Sequence, residues 1–398
     1  MRISTANNFN ASIDQLIQRQ SNLSDTQEQM TSGKRVNRAS DDPAAAARAE
    51  RATAAEARST ASQRAVDASN TAMTLTESAL GSAGDLLQTV REGMVSAGNA
   101  SFTDSDRKSL AGQLVQLRNQ LLSVANTTDG AGTYLFGGQG ANQAPFVDAA
   151  GGVQYYGSSG SNTVASNDAL PLTIDGQAAW MQAPTGNGVF AATPVTSKGS
   201  AWIASGTVTD PSAITGSTYS IQFSVASGAT TYSILKDGVA TPQANMSFTP
   251  GQAVQIDGMS ASISGQPANG DEFQFAPSTP TMSVFSVIDK AIADLKSTGR
   301  SSSQIAQDNA INISSLDSVM GKVQAAQGQA GAVLNRIDSV TSRLSAAKLA
   351  SQTEITNAVD VDMTKALSDF SNQNTGYDAA LKAYSMIQGL SMFKYLSA

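Results

Sequence analysis

Apolar residues along this chain keep two different rhythms. Near the N-terminus Phe9, Ile13, Leu16, Gln20, Leu23, Gln27 and Met30 are spaced 4-3-4-3-4-3, the seam of a coiled-coil helix. Val66, Met73, Leu80, Leu87 and Met94 then recur at every seventh residue, and Leu110, Leu114, Leu117, Leu121 and Val124 predict a third helix. On the C-terminal side Leu316, Met320, Val323, Gln327, Ala330, Leu334, Ile337, Thr341 and Leu344 keep the heptad rhythm. Val359, Met363, Ala366, Phe370, Gln373 and Tyr377 extend it, and Leu381, Tyr384, Ile387, Leu390 and Phe393 carry the stripe almost to the last residue.

Between residues 141 and 282 the rhythm shortens to runs rich in Thr, Val, Ile, Tyr and Phe, with turn signals between them, which predicts strands. Asp175-Gly176, Asp237-Gly238 and Asp257-Gly258 are candidate hairpin turns, because Asp and Gly both tolerate a positive φ. The expected fold is therefore α+β: a long helical coiled-coil bundle built from both chain ends, with an inserted mostly-β domain. The boundaries read as an N-terminal assembly helix and loop at 1–42, helical parts at 43–140 and 283–350, an outer β-rich domain at 141–282, and a C-terminal assembly helix at 351–398.

Stripes that reach so close to both termini need something to dock against, since chain ends otherwise fray. That requirement predicts subunit contacts at Phe9, Ile13, Leu16, Leu23, Met30, Val359, Met363, Phe370, Tyr377, Leu381, Tyr384, Ile387, Leu390 and Phe393. An intramolecular bundle is the competing use of the stripes in residues 44–130 and 283–345.

Composition sharpens the division. Ten of the 11 prolines lie between Pro145 and Pro280, the other being Pro43. Residues 141–282 hold 8 acidic and 2 basic residues, so most of the net charge of −7 sits in the middle. No basic patch is present to release counterions from a nucleic acid. No run of about 18 apolar residues predicts a membrane span. With no Cys and no His, thiolate nucleophiles, Ser-His arrangements and the commonest metal ligand are absent, and no catalytic residue, cofactor or metal is expected.

Ser32–Ala44 separates two helical stripes. Gly33 suits a left-handed helix end, and Asp42 followed by Pro43 suits the start of the next helix. Asp41 and Asp42 are adjacent and point apart, so capping explains them better than catalysis. Asp360 and Asp362, two apart, face different ways on a helix and suit solvent or subunit contacts better than a metal. Gly137-Gly138-Gln139-Gly140 lacks the Lys-Ser or Lys-Thr of a phosphate loop and reads as a flexible exit from the helices. Trp180, Trp202, Tyr155 and Tyr156 read first as core, and second as the lining of a sugar site.

The Ser32–Ala44 segment resembles the loop characteristic of the flagellin superfamily, and the helical ends around a variable middle follow that superfamily's plan. Within it, Gly132-Thr133-Tyr134-Leu135-Phe136-Gly137-Gly138, Asp360-Val361-Asp362-Met363, Gly270-Asp271-Glu272-Phe273 and Leu390-Ser391-Met392-Phe393-Lys394-Tyr395-Leu396 are similar to segments of its hook-associated branch. The resemblance implies a structural subunit of the bacterial flagellum, an adaptor at the hook–filament junction on which filament assembles. It implies further copies of the chain in a ring, hook-associated protein 1, flagellin and an export chaperone as partners. It also implies an extracellular site reached through the flagellar type III export apparatus without a cleaved signal peptide. A filament flagellin and an extracellular adhesin or binding module are the alternatives.

Overall fold

The computed structural model describes residues 2–99, 101–140, 142–164 and 168–396, with the backbone alone for residues 2–9 and 387–396. Its helices are α1 (Arg2–Ser32), α2 (Pro43–Ala97), α3 (Asp104–Ala125), α4 (Gly176–Trp180), α5 (Val284–Lys296), α6 (Ser302–Val359) and α7 (Met363–Leu396). Two compact units share them: residues 1–64 with 340–398, and residues 65–339.

In the second unit the seven-residue repeat of α2 holds, and that of α6 holds in part. Val66, Met73, Leu80, Leu87 and Met94 on α2 are all buried, as are Leu316, Val323, Ala330 and Ile337 on α6, whereas Met320, Gln327 and Leu334 are half-buried and the neighbouring Val319 and Ala326 are buried instead. A position repeated every seven residues stays on one face of a helix, so about eight turns of α2 bury one apolar stripe together. α3 begins with a capping box at Thr103 and Asp106, and α5 with one at Ser283 and Ser286. These side chains satisfy the first amide groups of helices that pack against each other.

Most of the middle is built on two larger sheets, in which the described strand pairings are antiparallel. One sheet orders Met246–Ser247, Ala229–Lys236, Tyr219–Ala226, Glu272–Pro277 and Phe190–Thr196, with Val239–Ala240 added beside Ala229–Lys236. The other orders Ala253–Ile256, Met259–Ser264 and Trp202–Ile203, with Thr207–Val208 also paired to Met259–Ser264. Tyr219, Ile221, Phe223, Ile234, Phe273 and Phe275 from the first meet Val254, Ile256, Met259, Ala261 and Ile263 from the second in one core. Ser220, Gln222 and Ser224 alternate to the other face, as a period of two requires.

Two of the three expected hairpin turns are present. Asp237-Gly238 (φ 49° and 81°) joins Lys236 to its cross-strand partner Val239, and Asp257-Gly258 (φ 38° and 77°) joins Ile256 to Met259. Positive φ at both positions matches the right-handed strand twist. Ser227-Gly228 makes a third such turn, with Ser in the place of Asp. Asp175-Gly176 is not a hairpin: Asp175 accepts from the Ala178 amide and caps α4, and Gly176 lies under the Phe136 carbonyl where no Cβ fits.

The glycine-rich exit is not a flexible tether. Gly138 has φ 62°, its amide donates to the Ile174 carbonyl (3.1 Å), and a Cβ there would be driven into the Ser158 carbonyl. On the return side Pro280–Met282 pairs with Ala183–Pro184. Around these crossings Trp180 stacks on Phe285 of α5 (6.0 Å between centroids), with Phe136 and Phe146 edge-on to it. Trp180 is therefore core; Tyr156, 67% exposed, lies outside it. Arg118 of α3 adds a charged tie, donating to both oxygens of Asp148 and to Asp289 of α5 (3.0 Å).

Candidate assembly surface

The first unit holds all the residues predicted to make subunit contacts. α1 and α7 run antiparallel and pack against each other. Thr26 Oγ1 donates to Gln373 Oε1 (2.9 Å), and the Arg19 guanidinium lies over Gly376. Below them the alanine-rich start of α2 meets the end of α6. Ala45 and Ala52 are buried, and Gln352 Nε2 donates to Glu56 Oε1 (2.7 Å).

The loop between α1 and α2 is stitched to the break between α6 and α7. Gly33 ends α1 at φ 70°, and its carbonyl accepts from the Val361 amide (3.1 Å). The Arg35 amide donates to the Val359 carbonyl (2.7 Å), and its guanidinium to the Ala358 carbonyl (2.8 Å). These are carbonyls that a helix C-terminus leaves without intrahelical partners, so the loop completes the end of α6. Asp42 caps α2 at the Ala45 amide (3.0 Å) and pairs with Arg35 (3.2 Å). The Ala45 amide, then Arg35, holds its carboxyl below the usual value. Asp41 accepts from the Asn37 and Arg38 amides, and the Arg38 bond first of all lowers its carboxyl too. Both carboxylates are thus spent on closing the loop, as capping anticipated.

The C-terminal stripe, continuous in the sequence, is broken in the structure. Asp360–Asp362 interrupts the helix. Asp360 bridges to Lys34, and Asp362 caps α7 by accepting from the Thr364 and Lys365 amides (3.0 and 3.1 Å). Two helices that start from separate caps need not keep one phase, so Val359 and the stripe from Met363 belong to different helices.

Ile13, Leu16, Leu23, Met30, Val359, Phe370, Tyr377 and Tyr384 are half-buried, whereas Met363 and Leu381 are exposed. The side chains of Phe9, Ile387, Leu390 and Phe393 lie outside the described residues. Among the exposed apolar residues that the strict 3-4 spacing misses, Leu367 and Ile17 are each 59% exposed. At spacings of 4 and 14, Met363, Leu367 and Leu381 fall on one margin of α7, beside the face that Ala366 and Gln373 turn toward α1. The apolar stripe is thus wider than α1 covers. Among the described residues no group of three or more Asp and Glu side chains is placed to hold a metal ion.

The N-terminal helical region of bacterial flagellin matches residues 3–141, and its C-terminal helical region matches residues 313–396. Flagellar hook-associated protein 3 of Escherichia coli is 26% identical over 92% of this chain and 90% of its own length. The protein of the same name from Salmonella typhimurium is 37% identical, over 44% of this chain and 54% of its own length. The crystal structure of the flagellar junction protein FlgL from Legionella pneumophila superposes with a TM-score of 0.64. It is 30% identical, over 70% of this chain and 94% of that one. The chain belongs to the hook-associated protein 3 family.

Membership in the hook-associated protein 3 family makes it a flagellar protein. Salmonella flagellins are 39% identical, but over only 31% of this chain and 23% of their own length. The locked loop at Ser32–Ala44 and the α1–α7 pair lie in the regions that this family shares with flagellin.

Proposed function

We propose that this chain is the adaptor at the hook–filament junction, a structural subunit on which flagellin assembles. Its partners on this reading are further copies of itself in a ring, hook-associated protein 1 on the hook side, flagellin on the filament side, and an export chaperone beforehand. It would reach the cell exterior through the flagellar export apparatus. The observation that carries the proposal is the unfilled apolar margin on α7, because an apolar stripe wider than its intramolecular partner suits a second chain. The role is mechanical, and α1 and α7 are the elements that would enter the joint.

Exposed residues test this without disturbing the subunit's own core. Leu367→Asp with Leu381→Asp leaves α7 helical but puts two carboxylates where a neighbour would bury them. Cells carrying the double variant should export the protein and keep hooks, yet grow no filament. Leu16→Asp and Phe370→Asp, at half-buried seam positions, should do the same with residues 65–339 still folded. Normal filaments on the Leu367→Asp, Leu381→Asp cells would remove α7 from the joint.

A further inference from the structure

One end of the helical unit contains an unusual polar cavity. It is lined by Met94 and Ala97 of α2, Arg107 of α3, Asp294 and Leu295 of α5, Arg300 of the following turn, and residues of α6 that include Asp308, Asn309 and Asn312. Arg107 is 5% exposed and Asn312 is 1% exposed. Four buried polar atoms of these residues have no hydrogen-bond partner among the described residues: Nε of Arg107, Nε of Arg300, Oδ1 of Asn309 and Oδ1 of Asn312. The other ends of the same side chains are engaged. Arg107 donates to the Phe102 carbonyl (2.7 Å), Arg300 to Asp308 (2.6 Å), and Asn312 Nδ2 to Asp294 (2.8 Å). The last bond fixes which way the Asn312 amide points, because a carboxylate can only accept.

We infer that this cavity is a binding site for one water molecule, which ties the turn between α5 and α6 to α2 and α3. Three features of the site select that ligand. The free groups are two donors and two acceptors, and a water molecule offers two of each. The space for a water-sized sphere is about 10 Å³, near the lower limit for a single buried water. The charges lining it balance, Arg107 and Arg300 against Asp294 and Asp308, so neither an anion nor a cation is drawn in. Filling the cavity with apolar side chains would instead leave two guanidinium N–H groups buried without acceptors.

The turn secured in this way matters to the fold. Arg300 follows Gly299, at φ 71°, in the stretch that separates α5 from α6. Five residues after the start of α6, the Gln307 amide pairs with both the N–H and the carbonyl of Ile203 (2.6 and 3.0 Å), as a neighbouring strand would. The water therefore steadies the start of α6 where it receives the outer β structure.

A crystal structure of the full chain at about 1.5 Å, with and without a bromide soak, tests the inference. The expected result is one spherical peak at hydrogen-bond distance from Arg107 Nε or Arg300 Nε and from Asn309 Oδ1 or Asn312 Oδ1, without anomalous signal after the soak. Bromide density at the peak would show an anion site instead. A site with no peak, in which the four atoms bond to other protein groups, would also overturn the inference. Wild type and Asn309→Leu, compared by hydrogen exchange in solution, give a second reading. Amides at the start of α6 should exchange at least tenfold faster in the variant, while those of α2 near Met73 should not change. Equal rates at the start of α6 in the two proteins would refute the role given to the water.

Discussion

Replacing Arg118 with Met removes a cation whose side chain is 8% exposed and which holds two carboxylates from different segments. Asp148 lies in the Phe146–Ala149 strand and Asp289 in α5, so the guanidinium ties a β hairpin to two helices at once. A hydrogen bond to a charged group contributes roughly 1.5–3 kcal/mol when buried. The carboxylates, however, are 51% and 37% exposed, and water can take over part of the role. Discounting for that exposure leaves an expected loss of about 2 kcal/mol at pH 7. Arg118→Lys should fall between, since one ammonium cannot serve both carboxylates with a planar fork. Acid provides an internal control. The hydrogen bond from Arg118 holds the Asp148 carboxyl below its ordinary value of 3.8. A carboxyl depressed by folding contributes stability that is fully present above the unfolded value and lost as pH falls through the folded one. The difference between wild type and Arg118→Met should therefore be greatest at pH 7 and shrink below pH 3.8. Urea unfolding followed by tryptophan fluorescence reads it, because the Trp180 ring lies 6.1 Å from Phe146 in the same strand as Asp148. An unchanged midpoint at pH 7, or a difference as large at pH 3 as at pH 7, would refute the reasoning.

Three further outcomes follow from the same structure. Asp271 is fully buried and accepts from the Lys198, Gly199 and Ala268 amides, so Asp271→Ala should cost about 3 kcal/mol or more by urea unfolding, through buried amides left without acceptors. Gly138→Ala should cost about 2 kcal/mol, because the added Cβ meets the Ser158 carbonyl at a positive φ, while Gly130→Asn, with open space at φ 83°, should cost under about 0.5 kcal/mol. Replacing residues 186–277 with a short Gly-Ser linker should leave a folded, exported protein that supports at least partial filament growth, since the Thr185 amide donates to the Thr279 carbonyl (3.0 Å) across the cut; replacing 145–278 should be worse, because it removes Phe146 and Trp180 from around Phe285.

How far the sequence could be read depended on the kind of signal. The helices of the second unit were legible because Val66 to Met94 repeat a single face at fixed spacing, and burial simply enforces that pattern. The Asp237-Gly238 and Asp257-Gly258 turns were legible because their backbone angles demand those residues. Asp175-Gly176 misled because the same two residues also start helices, and only the fold decides which. The break at Asp360–Asp362 was hidden because the apolar spacing continues across it, and the partners of the exposed carbonyls lie in Arg35 and Val36, far away in sequence. The exposed margin at Leu367 and Leu381 was half visible. A seam can be counted along one helix, but its uncovered width depends on how much α1 shields. The four free atoms around Arg107 and Asn312 had no sequence signal, since each comes from a segment whose neighbours are set by tertiary packing.

The central claim is that this chain joins hook to filament, and deletion of its gene measures it most directly. Cells lacking the gene should be non-motile, carry hooks of normal length without filaments, and release flagellin into the medium. Restoring the wild-type gene should restore filaments. Filaments still growing on the hooks of the deletion strain would contradict the junction role, and hooks without any flagellin made or shed would assign the chain to the filament itself.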